Sequence, residues 1–446
     1  MAAATRRSLA QWRSMCFIDA GVEMSHGVQR GRGLFATKPI PKGTCLMSVP
    51  KDVWYRFSAA HHRESAPAEL VGHIDELDKS IGEGRGKLAA ATLTALGLVY
   101  SPEDELVKRY RNLLPEDQDD ETFNPSLWST DQLGELENSP AKRTAIAFRN
   151  VCEAMAAHLA LKLPRHEYVR LSCLVRSRAV SFETKEDDFF FGLIPAVDLA
   201  NHDSLNPTAT VDFDGLNGPC VLRAASDLEK GDEITFEYGP LGNAELLRVY
   251  GFATDDNPHD FVTLDPEAVL FAANSKDDPY TMPLRGPQTI ESLIPMDTLQ
   301  LHQQTLPENS LAALRVRYLT PEEATIHNPF AEKTIRKFVS ITNETKAIEA
   351  LAYIVEKNFL RSHTTWSRFL LNRQGHAASR GYIPVATIED DMAMLKKPRI
   401  KDTWLHHAVR TRLGEKRIWV DLLHRLEQAR GALDPRKKNI VAAPPP

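Results

Sequence analysis

The spacing of hydrophobic positions changes several times along the chain. Residues 27–50 are rich in glycine and then alternate between polar and apolar positions, with a turn signal at Lys42-Gly43. This alternation predicts two β-strands, and the turn signal predicts that they form a hairpin. From Leu88 to Val99, apolar residues instead recur at intervals of three or four, and from Ala145 to Leu159 they do so again. These two stripes predict helices after the strands.

The strand pattern returns over residues 218–238. The sequence LEKGDEI, which begins at Leu228, repeats the spacing of IPKGTCL, which begins at Ile40. Two similar hairpins are therefore predicted to flank the helices. Strands at 30–50 and 218–238 can share a sheet only if the helical segment between them loops out as an insert.

The remainder of the chain is mostly helical in pattern after about residue 262, with apolar stripes over residues 348–359 and 418–426. The order of elements predicts an α+β fold. It consists of a β-rich domain over residues 20–262, a helical insert within it at about 80–172, and an all-α domain over 263–446.

Composition and charge narrow the classes of function. The 446-residue chain is 42% hydrophobic and 26% charged, which allows a sizeable core. Its formal net charge of −6 gives no electrostatic basis for binding nucleic acid. The five cysteines lie far apart without a CxxC pair, which argues against a disulfide framework or a zinc cage. No apolar run approaches the roughly 18 residues of a membrane helix, so we expect a cytoplasmic protein without membrane attachment.

Three clusters in the sequence could carry chemistry. The first is GRGLFA at residues 31–36, whose glycines permit positive φ and close approach of the backbone to a ligand. The second is LIPAVDLANHD, in which an apolar run ends in four polar residues within six positions. Burying such groups unpaired costs about 1–3 kcal/mol each, so we expect them to have partners. The third is ITFEYG followed by NAELLRVYGF, in which Tyr238 and Tyr250 each precede a glycine.

A metal site on His202 is one interpretation of the second cluster. Asp198 and Asp203 lie on either side of this histidine, and a metal-dependent hydrolase would also need a distant ligand such as His259. No second histidine lies at the spacing that zinc ligands use. We therefore predict no metal site.

Taken in this order, GRGLFA, DLANH and YGPLGNAELLRVYGF resemble the motifs of the SET-domain methyltransferases. The resemblance is closest to the branch typified by the large-subunit methyltransferase of Rubisco. That branch has a helical insert inside a SET domain with a knot-like core, and it ends in a helical substrate-binding domain. The resemblance therefore covers nearly the whole chain. It implies methyl transfer from the cofactor S-adenosylmethionine to a side-chain nitrogen of another protein.

The resemblance also implies roles in cofactor binding. The pair Asn201-His202 would bond the adenine and anchor the knot, and Phe252 would pack on the adenine face. Arg178 would contact the cofactor carboxylate, a pairing that suits guanidinium geometry. Many relatives have glutamate where this chain has Thr44, which is a departure from the pattern. The residues implied for the cofactor are Thr44, Cys45, Leu46, Arg178, Asp198, Asn201, His202, Tyr238 and Phe252.

Tyr238 matches the tyrosine at the methyl-transfer point, so the resemblance implies that it is the catalytic residue. Tyr250 matches the tyrosine that lines the substrate channel. The residues implied for the substrate are Arg178, Val180, Val197, Asp198 and Tyr250.

The acceptor nitrogen in this family belongs to lysine or, in one branch, to a histidine of actin. That branch has an asparagine two positions after the cofactor arginine and a tryptophan before the aspartate of the DxxNH motif. Val180 and Val197 occupy these positions here, and neither can hydrogen-bond an imidazole nitrogen. An apolar wall suits the stem of a lysine. We therefore predict a lysine acceptor, with actin-type histidine methylation as the alternative.

The partner implied by the resemblance is a folded, non-histone protein that docks on the helical C-terminal domain. Histone-directed SET enzymes commonly carry a cysteine cluster after the SET domain, whereas no cysteine follows Phe252 here. A SET-derived binding module without catalysis is an alternative of a different class. Because Tyr238 and Asn201-His202 are present, no missing motif residue explains such a loss.

Overall fold

The structure is a computed structural model of the chain. It describes residues 11–27, 31–81, 87–100, 104–114, 124–137, 139–159, 163–183, 189–213, 218–263, 300–302, 306–326, 338–362, 387–398 and 403–433.

The chain divides into two compact units. The first unit comprises Met1–Glu135, Pro140–Pro258 and Ile400–Ala408. The second unit comprises Leu136–Ser139, His259–Arg399 and Val409–Pro446. The domain boundaries drawn from the sequence, at 20–262 and 263–446, stay a prediction.

Among its described residues, the β-rich part of the first unit contains ten strands. They are β1 (Phe17–Ile18), β2 (Val22–Gly27), β3 (Gly31–Ala36), β4 (Cys45–Val49), β5 (Ala179–Glu183), β6 (Phe189–Leu193), β7 (Asn201–His202), β8 (Ala209–Phe213), β9 (Cys220–Ala224) and β10 (Glu233–Phe236). One four-stranded sheet has the order β1-β4-β9-β8 and the other the order β2-β3-β10-β7, while β5 pairs with β6.

The two repeated sequences pair with each other. Ile40 and Leu228 exchange backbone hydrogen bonds of 2.9 Å in both directions. The glycine of each repeat, Gly43 and Gly231, turns the chain with a positive φ of 84° and 99° respectively. Strands near each repeat then pair across it, β3 with β10 and β4 with β9. The expectation that strands at 30–50 and 218–238 share sheets is therefore confirmed.

The predicted hairpins over residues 27–50 and 218–238 are both wrong. The strands β3 and β4 lie in different sheets, as do β9 and β10, and the turn at Lys42-Gly43 leads from one sheet to the other. The alternation of side chains sets which face of a strand is buried, but it does not identify the neighbouring strand. Here each strand finds its partner in the other repeat.

The described helices of the first unit lie between β4 and β5, and a further helix of this unit follows β10. They are α1 (Lys51–Trp54), α2 (Ala59–Ser65), α3 (Ala68–Ile81), α4 (Lys87–Tyr100), α5 (Glu105–Arg111), α6 (Thr130–Gly134), α7 (Pro140–His158), α8 (Arg165–Arg176) and α9 (Asn243–Tyr250). The helices begin at Lys51, whereas the apolar stripe indicated them from Leu88 on. The first two, of four and seven residues, contain too few turns to show a period, but α3 has 14 residues and was missed for no such reason. Leu93, Met155 and Tyr168 are buried together in the core of this helical segment.

The second unit is mostly helical. It contains the short strands β11 (Phe261–Thr263) and β12 (Gln300–His302), the helices α10 (Glu308–Arg317), α11 (Pro321–Ile326), α12 (Ile341–Ser362) and α13 (Ile388–Leu395), and most of α14 (Trp404–Leu433). Leu351, Val355 and Leu422 form part of its core, as their helical spacing indicated, and Leu314 joins them. The predicted α+β class, with a β-rich domain interrupted by helices and a helical C-terminal part, is confirmed.

All five cysteines are free thiols. Across the parts of the chain that the structure describes, no helix combines the length and the apolar character needed to cross a membrane.

Candidate active site

A strained turn precedes the Asn201-His202 pair. Ala196, which follows β6, has a φ of 70°, in the left-handed region that costs a non-glycine residue about 1–2 kcal/mol. The short 3-10 helix Val197–Leu199 comes next, and its Asp198 N–H donates to the Ile194 carbonyl at 3.1 Å. Backbone strain persists where surrounding contacts fix the chain, a situation that is common at functional sites.

The Asp198 carboxylate is held inside the protein by two side chains. Tyr110 donates a short hydrogen bond to Oδ2. Nη1 of Arg178 lies 3.7 Å from Oδ2 and donates to the Asp198 backbone carbonyl at 3.1 Å. Within the described residues, Oδ1 is buried without a hydrogen-bond partner. Burial raises the pKa of Asp198, although the charge of Arg178 and the hydrogen bond from Tyr110 oppose the rise.

Asn201 connects the second polar cluster to GRGLFA. Its Nδ2 donates to the Arg32 carbonyl at 3.2 Å and to Oε1 of Glu233 at 2.7 Å. Gly33 lies so close to this amide that an added Cβ would be 2.6 Å from Nδ2. The second glycine of GRGLFA therefore makes room for the Asn201 side chain.

His202 and Tyr238 fix each other. Nδ1 of His202 accepts a hydrogen bond of 3.0 Å from the Tyr238 backbone N–H, which requires a neutral Nδ1. The Tyr238 hydroxyl donates to the Ala200 carbonyl at 2.8 Å. Because burial raises the pKa of Tyr238, its phenol stays protonated at ordinary pH. The hydroxyl thus has a fixed direction and keeps its oxygen lone pairs for a second contact.

The aromatic residues of the third cluster gather around Tyr238. Its ring centroid lies 4.7 Å from that of Tyr250 and 5.1 Å from that of His202. The Phe252 ring lies 5.9 Å from His202 and 6.2 Å from Tyr250. These four predicted site residues therefore form one cluster, with Tyr238 in contact with both tyrosine and histidine neighbours.

The end of α9 is held so that Tyr250 and Phe252 project from a sharp turn. Gly251 ends the helix with a φ of 84°, which glycine adopts without strain. Nδ2 of Asn124 donates to the Arg248 carbonyl at 2.8 Å, and Nδ1 of His407 accepts from the Ala253 N–H at 3.2 Å. Contacts from distant parts of the sequence therefore define this turn.

The strand assigned to the cofactor by resemblance lies in the other four-stranded sheet. The Thr44 carbonyl accepts from Ala224 at 2.9 Å and the Leu46 carbonyl from Asp19 at 2.8 Å. The Thr44 hydroxyl donates to the Pro41 carbonyl at 2.6 Å. These groups already have protein partners, and the cofactor role of Thr44, Cys45 and Leu46 stays a prediction.

The two valines that distinguish a lysine from a histidine acceptor differ in exposure. Val180 is half-buried in β5, opposite Gly192. Val197 is fully buried in the core beside the Asp198 turn. Their roles as an apolar channel wall stay predictions.

The side chains considered for a metal have other partners. Oδ1 of Asp203 accepts from the Leu205 and Asn206 backbone N–H groups, both at 2.9 Å, and Nδ1 of His202 accepts from Tyr238. Among the described residues, no group of three histidine, cysteine, aspartate or glutamate side chains is placed to hold a metal ion. A hydrolase built on His202 and His259 thus gains no support.

Sequence reasoning missed three residues that shape this site: Tyr110, Asn124 and His407. Tyr110 continues the apolar spacing of Leu106 and Val107, so in the sequence it resembles an ordinary core residue. Asn124 and His407 lie 124 and 154 residues from their partners. Spacing along the chain carries no signal for contacts of that range.

The chain is similar in sequence and in fold to known proteins. Residues 31–239 match the SET domain family. The actin-histidine N-methyltransferase of Mus musculus is 25% identical over 417 residues, which are 89% of this chain and 64% of that protein. The enzyme of the same name from Danio rerio is 26% identical over 433 residues, 92% of this chain and 66% of that protein. The chain thus spans about two thirds of the length of these relatives.

Solved structures show the same fold over nearly the whole chain. The SET domain of LSMT bound to lysine and AdoHcy has a TM-score of 0.64 at 20% identity, covering 97% of this chain and 93% of that one. Rubisco LSMT bound to AdoMet has a TM-score of 0.63 at 19% identity, with coverage of 97% and 93%. Residues 31–239 thus match the SET domain family, and the chain has the fold of Rubisco LSMT.

Proposed function

We propose that this protein transfers a methyl group from S-adenosylmethionine to the side-chain amine of a lysine in a folded, non-histone protein. The observation that carries the proposal is the Tyr238 hydroxyl, which the Ala200 carbonyl orients at 2.8 Å inside the aromatic cluster of His202, Tyr250 and Phe252. The family match and the cofactor complexes of Rubisco LSMT support the same reaction.

The side chains present fit this cofactor by their chemistry. Arg178 offers a guanidinium whose side chain is 17% exposed, and such a group suits the cofactor carboxylate. Phe252 offers a half-buried aromatic face for the adenine. The cofactor, when bound, supplies an electrophilic methyl group on a sulfonium. No further cofactor or metal is required by this chemistry.

The protein's own task is to orient the acceptor nitrogen and exclude water. The nitrogen must be unprotonated, because its lone pair forms the new bond to carbon. Since burial raises the pKa of Tyr238, this phenol is no base at neutral pH and acts by orienting the amine. The amine loses its proton more readily where it is desolvated, because burial lowers the pKa of lysine from about 10.4.

The apolar side chains of Val180 and Val197 support lysine as the acceptor. Val180 and Val197 carry no hydrogen-bonding group at the two positions that hold the ring in the actin-histidine branch. Histidine is the second candidate, and the names of the relatives from Mus musculus and Danio rerio favour it. The chemical identity of the methylated residue decides between them.

The first experiment is transfer of a radiolabelled methyl group to proteins of a cell extract, with the modified residue identified by mass spectrometry. We expect methyllysine, and we expect Tyr238→Phe to slow transfer by about 10² because the amine loses its orientation. Tyr353→Phe, at an exposed tyrosine of the second unit, is the matched control and should leave the rate unchanged. Methylhistidine would overturn the lysine assignment and keep the reaction. Binding of the cofactor without transfer to any protein would support the binding module.

We further propose that the helical residues 263–446 dock the protein substrate. The test compares methyl transfer to the intact substrate with transfer to a short peptide around the modified lysine. A docking role predicts a much higher KM for the peptide with a similar kcat, because the peptide lacks the distant contacts. Equal KM values would contradict it.

A further inference from the structure

Tyr110 lies in the helical insert and is held rigidly. It is in the last turn of α5, whose N-terminus is capped by Asp104, the acceptor of hydrogen bonds from Leu106 and Val107 at 2.8 and 3.3 Å. The Tyr110 ring is fully buried, with its centroid 5.0 Å from that of Phe57. The direction of the hydroxyl is therefore set by packing.

This hydroxyl points at the carboxylate of Asp198, one oxygen of which is buried without a hydrogen-bond partner among the described residues. Tyr110 donates to Oδ2 of Asp198, whose side chain has no exposed surface. The charged groups that face this pair are Arg178 and Arg32. Nη1 of Arg178 is 3.7 Å from Oδ2, which is longer than a hydrogen bond. The phenol thus gives this buried carboxylate a side-chain hydrogen bond.

Asp198 in turn fixes two parts of the active site. Its backbone carbonyl accepts from Nη1 of Arg178 at 3.1 Å, so its position sets that of the guanidinium. Two residues later, the Ala200 carbonyl accepts from the Tyr238 hydroxyl at 2.8 Å. Between them the chain runs through the 3-10 turn that follows the strained Ala196. A shift of Asp198 would therefore displace both groups.

We propose that Tyr110 is a positioning residue for methyl transfer: by holding Asp198, it sets the Arg178 guanidinium and the carbonyl that orients the Tyr238 hydroxyl. The inference rests on the proposed function and extends it, because it makes the helical insert a part of the active site. The effect is expected first on the cofactor, through Arg178, and then on the rate, through Tyr238.

The test replaces Tyr110 by phenylalanine, which removes the hydroxyl and keeps the ring. Tyr168→Phe is the matched control: Tyr168 is also a buried tyrosine of the insert, but its hydroxyl bonds Oγ1 of Thr92 at 3.0 Å, within the core of the helical segment. Thermal unfolding shows what each lost hydrogen bond does to stability. Calorimetric titration with S-adenosylmethionine and steady-state methyl transfer show what it does to the site.

We expect Tyr110→Phe to weaken S-adenosylmethionine binding and to lower kcat, each by about tenfold, with the KM for the protein substrate little changed. Tyr168→Phe should lower thermal stability by a similar amount but leave cofactor affinity and kcat unchanged. In a double-mutant cycle, Tyr110→Phe should add little to Asp198→Ala, which removes the acceptor, because the phenol acts through that carboxylate. Full additivity, or equal cofactor affinity and kcat in Tyr110→Phe and Tyr168→Phe, would overturn the proposal.

These outcomes are separable from a failure of the proposed function. If the wild-type protein binds S-adenosylmethionine but methylates no protein, the proposed function is wrong, and the affinities of the two tyrosine variants still decide the role of Tyr110. If the wild-type protein does not bind the cofactor, both are wrong.

Discussion

Each unit of this protein buries a cluster of charged side chains, and the two clusters are built differently. In the second unit, Lys416 donates to Oδ2 of Asp391 at 2.8 Å and to Oε1 of Glu137 at 3.0 Å. Arg412 donates twice to Oδ1 of the same Asp391, at 2.9 and 2.6 Å. All four side chains are at most 3% exposed. Both oxygens of the central carboxylate thus have cationic donors.

In the first unit, Asp198 is as deeply buried but less well paired. One oxygen takes the phenol of Tyr110, with Arg178 at 3.7 Å, and the other has no hydrogen-bond partner among the described residues. Arg178 keeps 17% of its side chain exposed. A buried carboxylate in this condition is destabilising by itself.

The difference indicates what each cluster is for. A closed ion network with every charge paired is complete without a ligand, and it holds α13 and α14 to residue Glu137 inside the second unit. An incomplete network beside a partly exposed guanidinium retains capacity for a ligand, which is the usual condition of a functional site. We therefore expect changes in the second unit to reduce stability, and changes in the first to reduce binding and rate.

The largest effect is expected from Lys416→Met. This change leaves the carboxylates of Asp391 and Glu137 buried with less cationic charge, which should lower the free energy of unfolding by about 3–5 kcal/mol. Urea denaturation followed by tryptophan fluorescence measures it, since Trp419 lies in the core of this unit. Lys397→Met, at an exposed position of the same unit, is the matched control. Similar stability of the two variants would show that the network is no structural element.

A second prediction concerns His62, a buried titratable side chain in which burial outweighs the charge of Asp104. Burial lowers the pKa of His62 from 6.5 to about 4. Between these values the unfolded chain binds a proton that the folded protein does not, so stability falls as the pH decreases from 6.5 to 4. The loss should approach about 3 kcal/mol at pH 4. His62→Gln should make stability less dependent on pH over this window, with the exposed His26→Gln as control. An unchanged slope would contradict the burial of a neutral imidazole.

The third prediction concerns the pH dependence of methyl transfer. Because burial raises the pKa of Tyr238, no base is available from it, and the fraction of unprotonated acceptor sets the rate. Activity should therefore rise by up to about tenfold per pH unit between pH 7 and 9, as long as the amine remains mostly protonated. Single-turnover methyl transfer measures this directly. A flat profile with chemistry rate-limiting would point to an acceptor that is already unprotonated at pH 7.

Several side chains of the candidate site could be predicted from the sequence, but the residues that hold them in place could not. Asn201, His202, Tyr238 and Tyr250 lie in short motifs whose order carries the family resemblance, and the structure brings them together. The strand partners of β3 and β4 could not be predicted, because alternation defines the buried face and leaves the neighbour open. Tyr110 is 88 residues from Asp198, and in its own segment it is one more apolar position of a helix. Contacts of that range depend on how the insert folds back.

The smallest effect on stability, and the sharpest test of the comparison, is expected from replacing each central aspartate by asparagine. Asp198→Asn keeps the shape, still accepts from Tyr110, and removes a charge that burial already disfavours, as the raised pKa of Asp198 shows. Its free energy of unfolding should stay within about 1 kcal/mol of wild type, while S-adenosylmethionine binding weakens. Asp391→Asn instead leaves Arg412 and Lys416 buried with too little negative charge, and should lower stability by several times as much.

Denaturation and calorimetric titration of both variants decide the matter. If Asp198→Asn destabilises the protein as strongly as Asp391→Asn and leaves cofactor affinity intact, the two clusters are alike, and the incomplete pairing of Asp198 is no mark of a binding site. If stability and affinity separate as expected, an incompletely paired buried carboxylate marks the active site of this chain, because its remaining oxygen is kept for a ligand that the fold alone does not supply.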